Sequence, residues 1–206
     1  MAEKRMIADY SVISSMTIGG KEIAIAENMM ASENEKYLCC YVESNEIYER
    51  YLEGMVSDDY EEIVKIYGDR LSAAAEAVSK EKAIAREKVG VDDEITGKEC
   101  MGISQEDSLD GKVIVIKGDI LYPEYRRASH QLMLCTGGFG SYPNSRGRTC
   151  FCSSLYDGHS TSFYRSDVLG IMEESNLPQW AKEGLYTARN QMTAQINNKK
   201  DRGDAR

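Results

Sequence analysis

The sequence predicts an α+β protein: a small antiparallel sheet with one long helix, linked to a β-meander or partial barrel with a C-terminal helix. Three observations predict it. Residues 11–56 alternate apolar and polar in short runs broken by turn formers. Tyr60, Ile63, Val64, Tyr67, Leu71, Ala74, Ala75 and Val78 recur at helical spacing. From Lys112 to Met172, short apolar runs follow one another between glycine, proline and Asp-Gly turns. The boundaries expected from these patterns are an acidic ββββα domain over 1–89, a linker over 90–111 and a basic β-rich domain over 112–206.

The first hairpin spans 11–26. SVISSMTI and KEIAIA flank Gly19-Gly20, which suits a type I′ turn because both central residues need positive φ. Residues 27–35 form a polar loop. Tyr37 to Val42 is apolar enough to be a central strand. Asn45 to Val56 reads as a fourth strand with a bulge at Gly54, since Tyr48, Tyr51 and Val56 suit a pleated surface and the glycine weakens a helix. The helix start is placed with Asp58 as N-cap and Glu61 at N3, the spacing of a capping box. Asp58, Asp59, Glu61 and Glu62 sit where the helix dipole favours negative charge. The helix is expected to reach about Lys88, before Gly90.

Residues 90–111 are polar, acidic and glycine-punctuated, the composition of a linker. Lys112 to Lys117 is the clearest strand. Leu121 to Arg127 is an irregular crossing held by Pro123. Strands are then expected over Gln131–Cys135, Arg148–Leu155, Ser162–Arg165 and Val168–Met172, with turns at Thr136-Gly137-Gly138, Tyr142-Pro143-Asn144 and Asp157-Gly158. Pro178 opens a final helix, with Trp180, Leu185 and Met192 to dock it. The tail from Asn197 is polar and expected to fray.

Composition narrows the function. The 206 residues are 42% hydrophobic and 29% charged, ordinary for a soluble globular protein. No run approaches the roughly 18 apolar residues of a membrane span, and MAEKRMIADY has no signal-peptide core. A cytoplasmic protein follows as the expectation, with its six cysteines reduced. Residues 1–110 hold 25 acidic against 12 basic side chains, and 111–206 hold 9 against 13. That asymmetry suits a solvated acidic helix beside a neutral domain. It also suits an acidic half meeting a basic partner and a basic half meeting nucleic acid.

Several motifs invite chemistry. Thr136-Gly-Gly-Phe-Gly140 lacks the Gly-Lys-Ser/Thr ending of a phosphate loop, so a tight β-connection is the preferred reading. Cys135, Cys150 and Cys152, with His130 or His159, could be drawn as a zinc site, but Cys-x-Cys on a strand departs from zinc spacing and two small buried hydrophobes are preferred. No cofactor or metal is expected. Asp157, His159 and Ser160 form a catalytic inventory in one hairpin tip, whereas a working triad converges in a cleft. No catalytic residue is assigned and a non-enzymatic role is expected. Arg126, Arg127, Arg146, Arg148 and Arg165, interleaved with aromatics such as Tyr125 and Tyr142, are the candidates for holding nucleic acid or an acidic partner. Against that stands a structural role, with the arginines in ion pairs and the aromatics in the core.

Pro123 to Arg126, Thr136 to Gly140, Pro143 to Arg148, Asp157-Gly158, Arg165 to Asp167 and Leu177 to Ala181 together make a motif run. It resembles a domain of accessory proteins carried by conjugative and phage-like mobile elements of gut Firmicutes. The first half, from Val56 to Tyr60 into the helix, is similar to a second module of those elements. Proteins of such elements include anti-CRISPR and other anti-defence proteins. The resemblance implies an accessory protein that antagonises a host defence nuclease of the Cas9 type by binding it or its guide RNA. Asp58, Asp59, Glu61 and Glu62 would then compete for a basic channel. Two alternatives stay open: a nucleic-acid-binding module of conjugation machinery, and an RNA-cleaving enzyme.

Overall fold

The computed structural model describes residues 5–44 and 48–203, with side chains as far as 194. The chain forms two compact units, 1–83 and 84–206, and the division falls inside one long helix.

The first unit is a curled, half-barrel antiparallel sheet of five strands in sequential order: β1 (Met6–Ile7), β2 (Tyr10–Ile18), β3 (Lys21–Glu27), β4 (Tyr37–Ser44) and β5 (Glu49–Ser57). The β2–β3 turn uses Gly19 and Gly20 at φ of 60° and 70°, as the hairpin pattern requires. Opposite Cys40 the register shifts, so that Glu53 and Gly54 form a bulge on β5, with Glu53 at φ 52°. Residues 45–47 of the expected fourth strand lie outside the described residues.

Helix α1 (Tyr60–Val89) lays Ile63, Ile66, Tyr67, Leu71 and Ala74 over Ile23, Ile25 and Cys39. Burying Ile63 completely contributes about 2 kcal/mol. The opposite face of the sheet carries Ile7, Ala24, Cys40 and Val42. Arg70 fixes the helix to the bulge: it donates to the carbonyls of Cys39 (3.2 Å) and Glu53 (2.6 Å) and stacks over Tyr41. The cap differs from the expectation by one residue. Asp59, not Asp58, accepts from the Glu62 amide at 3.2 Å, because the helix begins at Tyr60.

The second unit is an open antiparallel sheet in the order β10-β6-β7-β8-β9. Its strands are β6 (Val113–Ile116), β7 (Leu132–Gly137), β8 (Thr149–Ser154), β9 (Ser160–Tyr164) and β10 (Val168–Ile171). All four residues of β6 are buried, which is why KVIVIK reads as an unbroken apolar run. Val113, Val115, Leu132 and Leu134 pack on α3 (Gln179–Gly203) through Leu185 and Ala188, with Trp180 and Met192 at the margin. Pro178 caps that helix, accepting from the amides of Ala181 and Lys182. The backbone is helical through Gly203; the side chains of the tail and residues 204–206 lie outside the described residues.

The stretch 90–111, expected as a linker, is part of this second unit. Asp92 is buried and accepts from the Ser129 amide and hydroxyl, both at 2.7 Å. Those contacts reach the short helix α2 (Ala128–Gln131). The buried amide of Gln131 pairs with both backbone groups of Ile95 and donates to Ile116 O. Met101 bridges Ile171, and Leu109 is fully buried. Most of this stretch is exposed, but Asp92, Ile95, Met101 and Leu109 tie it to the second unit. One consequence is electrostatic: residues 84–206 hold 17 acidic and 16 basic side chains, so basicity in this unit is local. No helix among the described residues is long and apolar enough to cross a membrane.

Candidate nucleic-acid interface

The second unit carries a cleft of about 820 Å³. Its walls are residues 102–105, Lys117 just after β6, the turn 145–148 before β8, Arg165 and Ser166 after β9, and Val168 and Leu169 at the start of β10. Lys117, Arg146, Arg148 and Arg165 line it, and no carboxylate does.

Local pairing holds the walls in place. The Lys117 amide donates to Asp167 O at 2.9 Å and its ammonium to Ser166 O at 2.6 Å. The Arg165 amide donates to Arg148 O at 2.7 Å, which ties the two rims, and the Asn144 amide donates to Gln105 O at 2.8 Å. Arg165 itself is 8% exposed, and its guanidinium donates to the carbonyls of Gly140, Ser104 and Asp107. Asp107 in turn takes hydrogen bonds from the Ser104 amide and hydroxyl, which hold its carboxyl below the usual range.

Arg146 and Arg148 are exposed, and neither guanidinium has a hydrogen-bond or ion-pair partner among the described residues. The glycine turn presses against them from behind. Gly137 and Gly138 have φ of 132° and 96°, and a methyl on Gly140 would overlap the Arg148 carbonyl. This is the tight β-connection expected of Thr136–Gly140.

The five arginines therefore part company. Arg146, Arg148 and Arg165 converge on the cleft, with Arg165 as scaffold. Arg127 is buried beside Asp92 (3.6 Å) and pairs with His130 Nδ1, so it is not a surface group. Arg126 is exposed but outside the cleft lining and donates to Leu121 O. Tyr125 stacks on His130 with ring centroids 4.6 Å apart, which occupies one of its faces. Tyr142 is exposed on the turn leading to the rim. Lys117, Ser104 and Gln105 were not singled out from the sequence. Lys117 looks like a strand flank, and the other two fall in the stretch read as a linker.

The acidic set is partly committed to local structure. Hydrogen bonds from the backbone of Asn34 and from Lys36 hold the Asp58 carboxyl low, and Lys36 Nζ lies 3.2 Å away. Asp59 caps α1, and Glu62 accepts from Ser57 at 2.7 Å. Glu61 is exposed on the first turn.

The other candidates resolve as follows. Cys135, Cys150 and Cys152 lie together on the buried face, with Cys135 paired to Cys152 across the strands. Hydrogen bonds from Cys150 and Cys152 pull the Cys135 thiol down, and the same bonds with burial push theirs up. Among the described residues, no group of three or more His, Cys, Asp or Glu side chains is arranged to hold a metal ion. His159 Nδ1 and Asp157 lie 2.6 Å apart at an exposed hairpin tip. His130 is part of the cluster with Arg127, Ser129 and Tyr125, where Ser129 is 2% exposed.

No family model matches this chain, and no curated protein or solved structure matches it either.

Proposed function

We propose that this protein acts by binding rather than by catalysis, and that its second unit holds a nucleic-acid backbone in the cleft rimmed by Arg146 and Arg148. One observation carries the reading: four cationic side chains line a single open cleft that contains no carboxylate. Phosphate chains are held by such surfaces through charge and guanidinium hydrogen bonding. The near-zero net charge of the unit makes the local concentration of cations more telling, since it is not a by-product of a basic domain.

The wider role rests on the motif resemblance. In it, the protein is an accessory factor of a mobile element that antagonises a host defence nuclease of the Cas9 type, with the cleft taking its guide RNA. The acidic start of α1, with Asp58, Asp59, Glu61 and Glu62 within five residues, favours a second mode in which the first unit competes for a basic channel of the nuclease.

Two assays separate these readings. In a mobility-shift assay with labelled RNA and DNA, the purified protein is expected to bind, with affinity falling steeply from 50 to 200 mM salt, and R146A/R148A to bind far more weakly. No shift at low salt would overturn the cleft reading. In a cleavage assay with the nuclease, guide RNA and target DNA, antagonism predicts loss of target cutting with the guide intact. Target cutting at the normal rate, together with a shift of naked nucleic acid, would remove the antagonist role and leave the conjugation-module reading.

A further inference from the structure

The cleft has an aromatic neighbour of unusual placement. Phe139 is 78% exposed, more than any other aromatic side chain among the described residues. It is not on a loose loop. It opens a short 3₁₀ turn, Phe139–Ser141, closed by the Ser141 hydroxyl on Gly138 O at 2.8 Å. Its Cβ packs against Gly147 so closely that a methyl on that glycine would overlap it. Gly147 is the residue between Arg146 and Arg148. A solvent-facing phenylalanine is thus anchored at its Cβ on the glycine that separates two arginines whose guanidiniums have no partner among the described residues. The sequence supports both features with glycines that leave room for the contact.

From this juxtaposition we infer that the cleft takes a single strand, with one unpaired base stacked on Phe139 and the flanking phosphates at Arg146 and Arg148. The inference rests on the nucleic-acid reading above and adds the strandedness of the ligand. Charge alone does not discriminate between duplex and single strand. An exposed aromatic face does, because a duplex hides its base faces in its own stack, whereas an unpaired base presents one. Phenylalanine has no polar atom to pair with solvent or a base edge, so the contact is stacking and is tolerant of base identity. Ser145, whose hydroxyl oxygen accepts from the Gly147 amide at 3.1 Å, can still donate its proton to phosphate or sugar without carrying sequence information, whereas the Ser104 and Ser166 hydroxyls already donate to Asp107 and Asp167.

The test uses the full chain and fluorescence anisotropy with four probes: a labelled oligothymidylate, a labelled oligouridylate, a labelled duplex of mixed sequence, and inorganic polyphosphate as competitor. F139A is expected to weaken both single strands roughly tenfold while leaving duplex affinity and polyphosphate competition unchanged. F139W should restore single-strand binding. The thermal midpoint of F139A should stay at the wild-type value because the ring is exposed, which separates lost stacking from lost fold. The oligothymidylate and oligouridylate arms distinguish a DNA from an RNA strand. Unchanged single-strand affinity in F139A, with R146A/R148A still impaired, would overturn the stacking inference and keep the cleft. Equal losses on single strands and duplex would also overturn it, by showing that Phe139 merely shapes the rim. Wild-type protein that binds none of the nucleic acids would overturn both readings.

Discussion

Arg165 donates from its guanidinium to the carbonyl oxygen of Gly140 across 2.8 Å. The same group reaches Ser104 O and Asp107 O at 2.7 Å each, so one side chain closes the glycine turn and the 104–107 segment around itself. Replacing it with methionine would keep much of the volume and leave three carbonyls without their donor. Buried polar groups left unpaired cost about 1–3 kcal/mol each, so Arg165→Met is expected to lose roughly 3 kcal/mol or more in urea unfolding. Arg165→Lys should fall between, since an ammonium cannot span three acceptors in the same fork.

Acid should loosen the same segment. The Ser104 amide, and then its hydroxyl, stabilise the ionised Asp107 and depress its folded pKa. A depressed carboxyl contributes stability that is fully present above its unfolded value, about 3.9, and that is lost as pH falls through the folded value. Thermal midpoints are therefore expected to fall below about pH 4, and Asp107→Asn should flatten that dependence while lowering the midpoint at neutral pH.

Two helical glycines should respond in opposite directions to the same change. Gly68 in α1 has open space where a Cβ would go. Gly68→Ala is expected to stabilise by up to about 1 kcal/mol from helix propensity alone. Gly184 in α3 lies against the carbonyl of Leu155, and an added methyl would overlap that oxygen. Backing the helix off the sheet costs about 1–3 kcal/mol, which outweighs the propensity gain. Gly184→Ala should therefore lower the denaturation midpoint, and Gly68→Ala should raise it.

The salt dependence of binding counts the phosphates in the cleft. For single strands each neutralised phosphate contributes about 0.7 to the slope of log affinity against log salt. The double variant R146A/R148A is expected to lower that slope by about 1.4 if each arginine meets one phosphate. Arg126→Ala, outside the cleft lining, should leave it unchanged.

The elements were legible because local pattern and tertiary context agree in them. Gly19-Gly20 could only serve a hairpin, and Ile63, Tyr67, Leu71 and Ala74 fall on the face that meets the sheet. The site was less legible because charge and burial are independent variables. Arg127 and Arg148 are the same residue type in similar company, yet one is 2% exposed beside Asp92 and the other stands on a rim. The partner that decides this, Asp92, lies 35 residues upstream of Arg127, in a stretch whose polarity resembled a linker. Gln131 misleads in the same way: its full burial is set by Ile95 and Ile116, neither adjacent in sequence.

The burial of the cysteines gives the chain built-in reporters of its own opening. Cys39 and Cys40 lie in the interior of the first unit, and Cys135, Cys150 and Cys152 in that of the second, while Cys100 is partly accessible. A thiol-labelling reagent followed by peptide mass spectrometry would tag Cys100 first and then time the exposure of each interior separately. The order in which the two sets become tagged would reveal which unit gives way first, without any fluorophore or engineered residue.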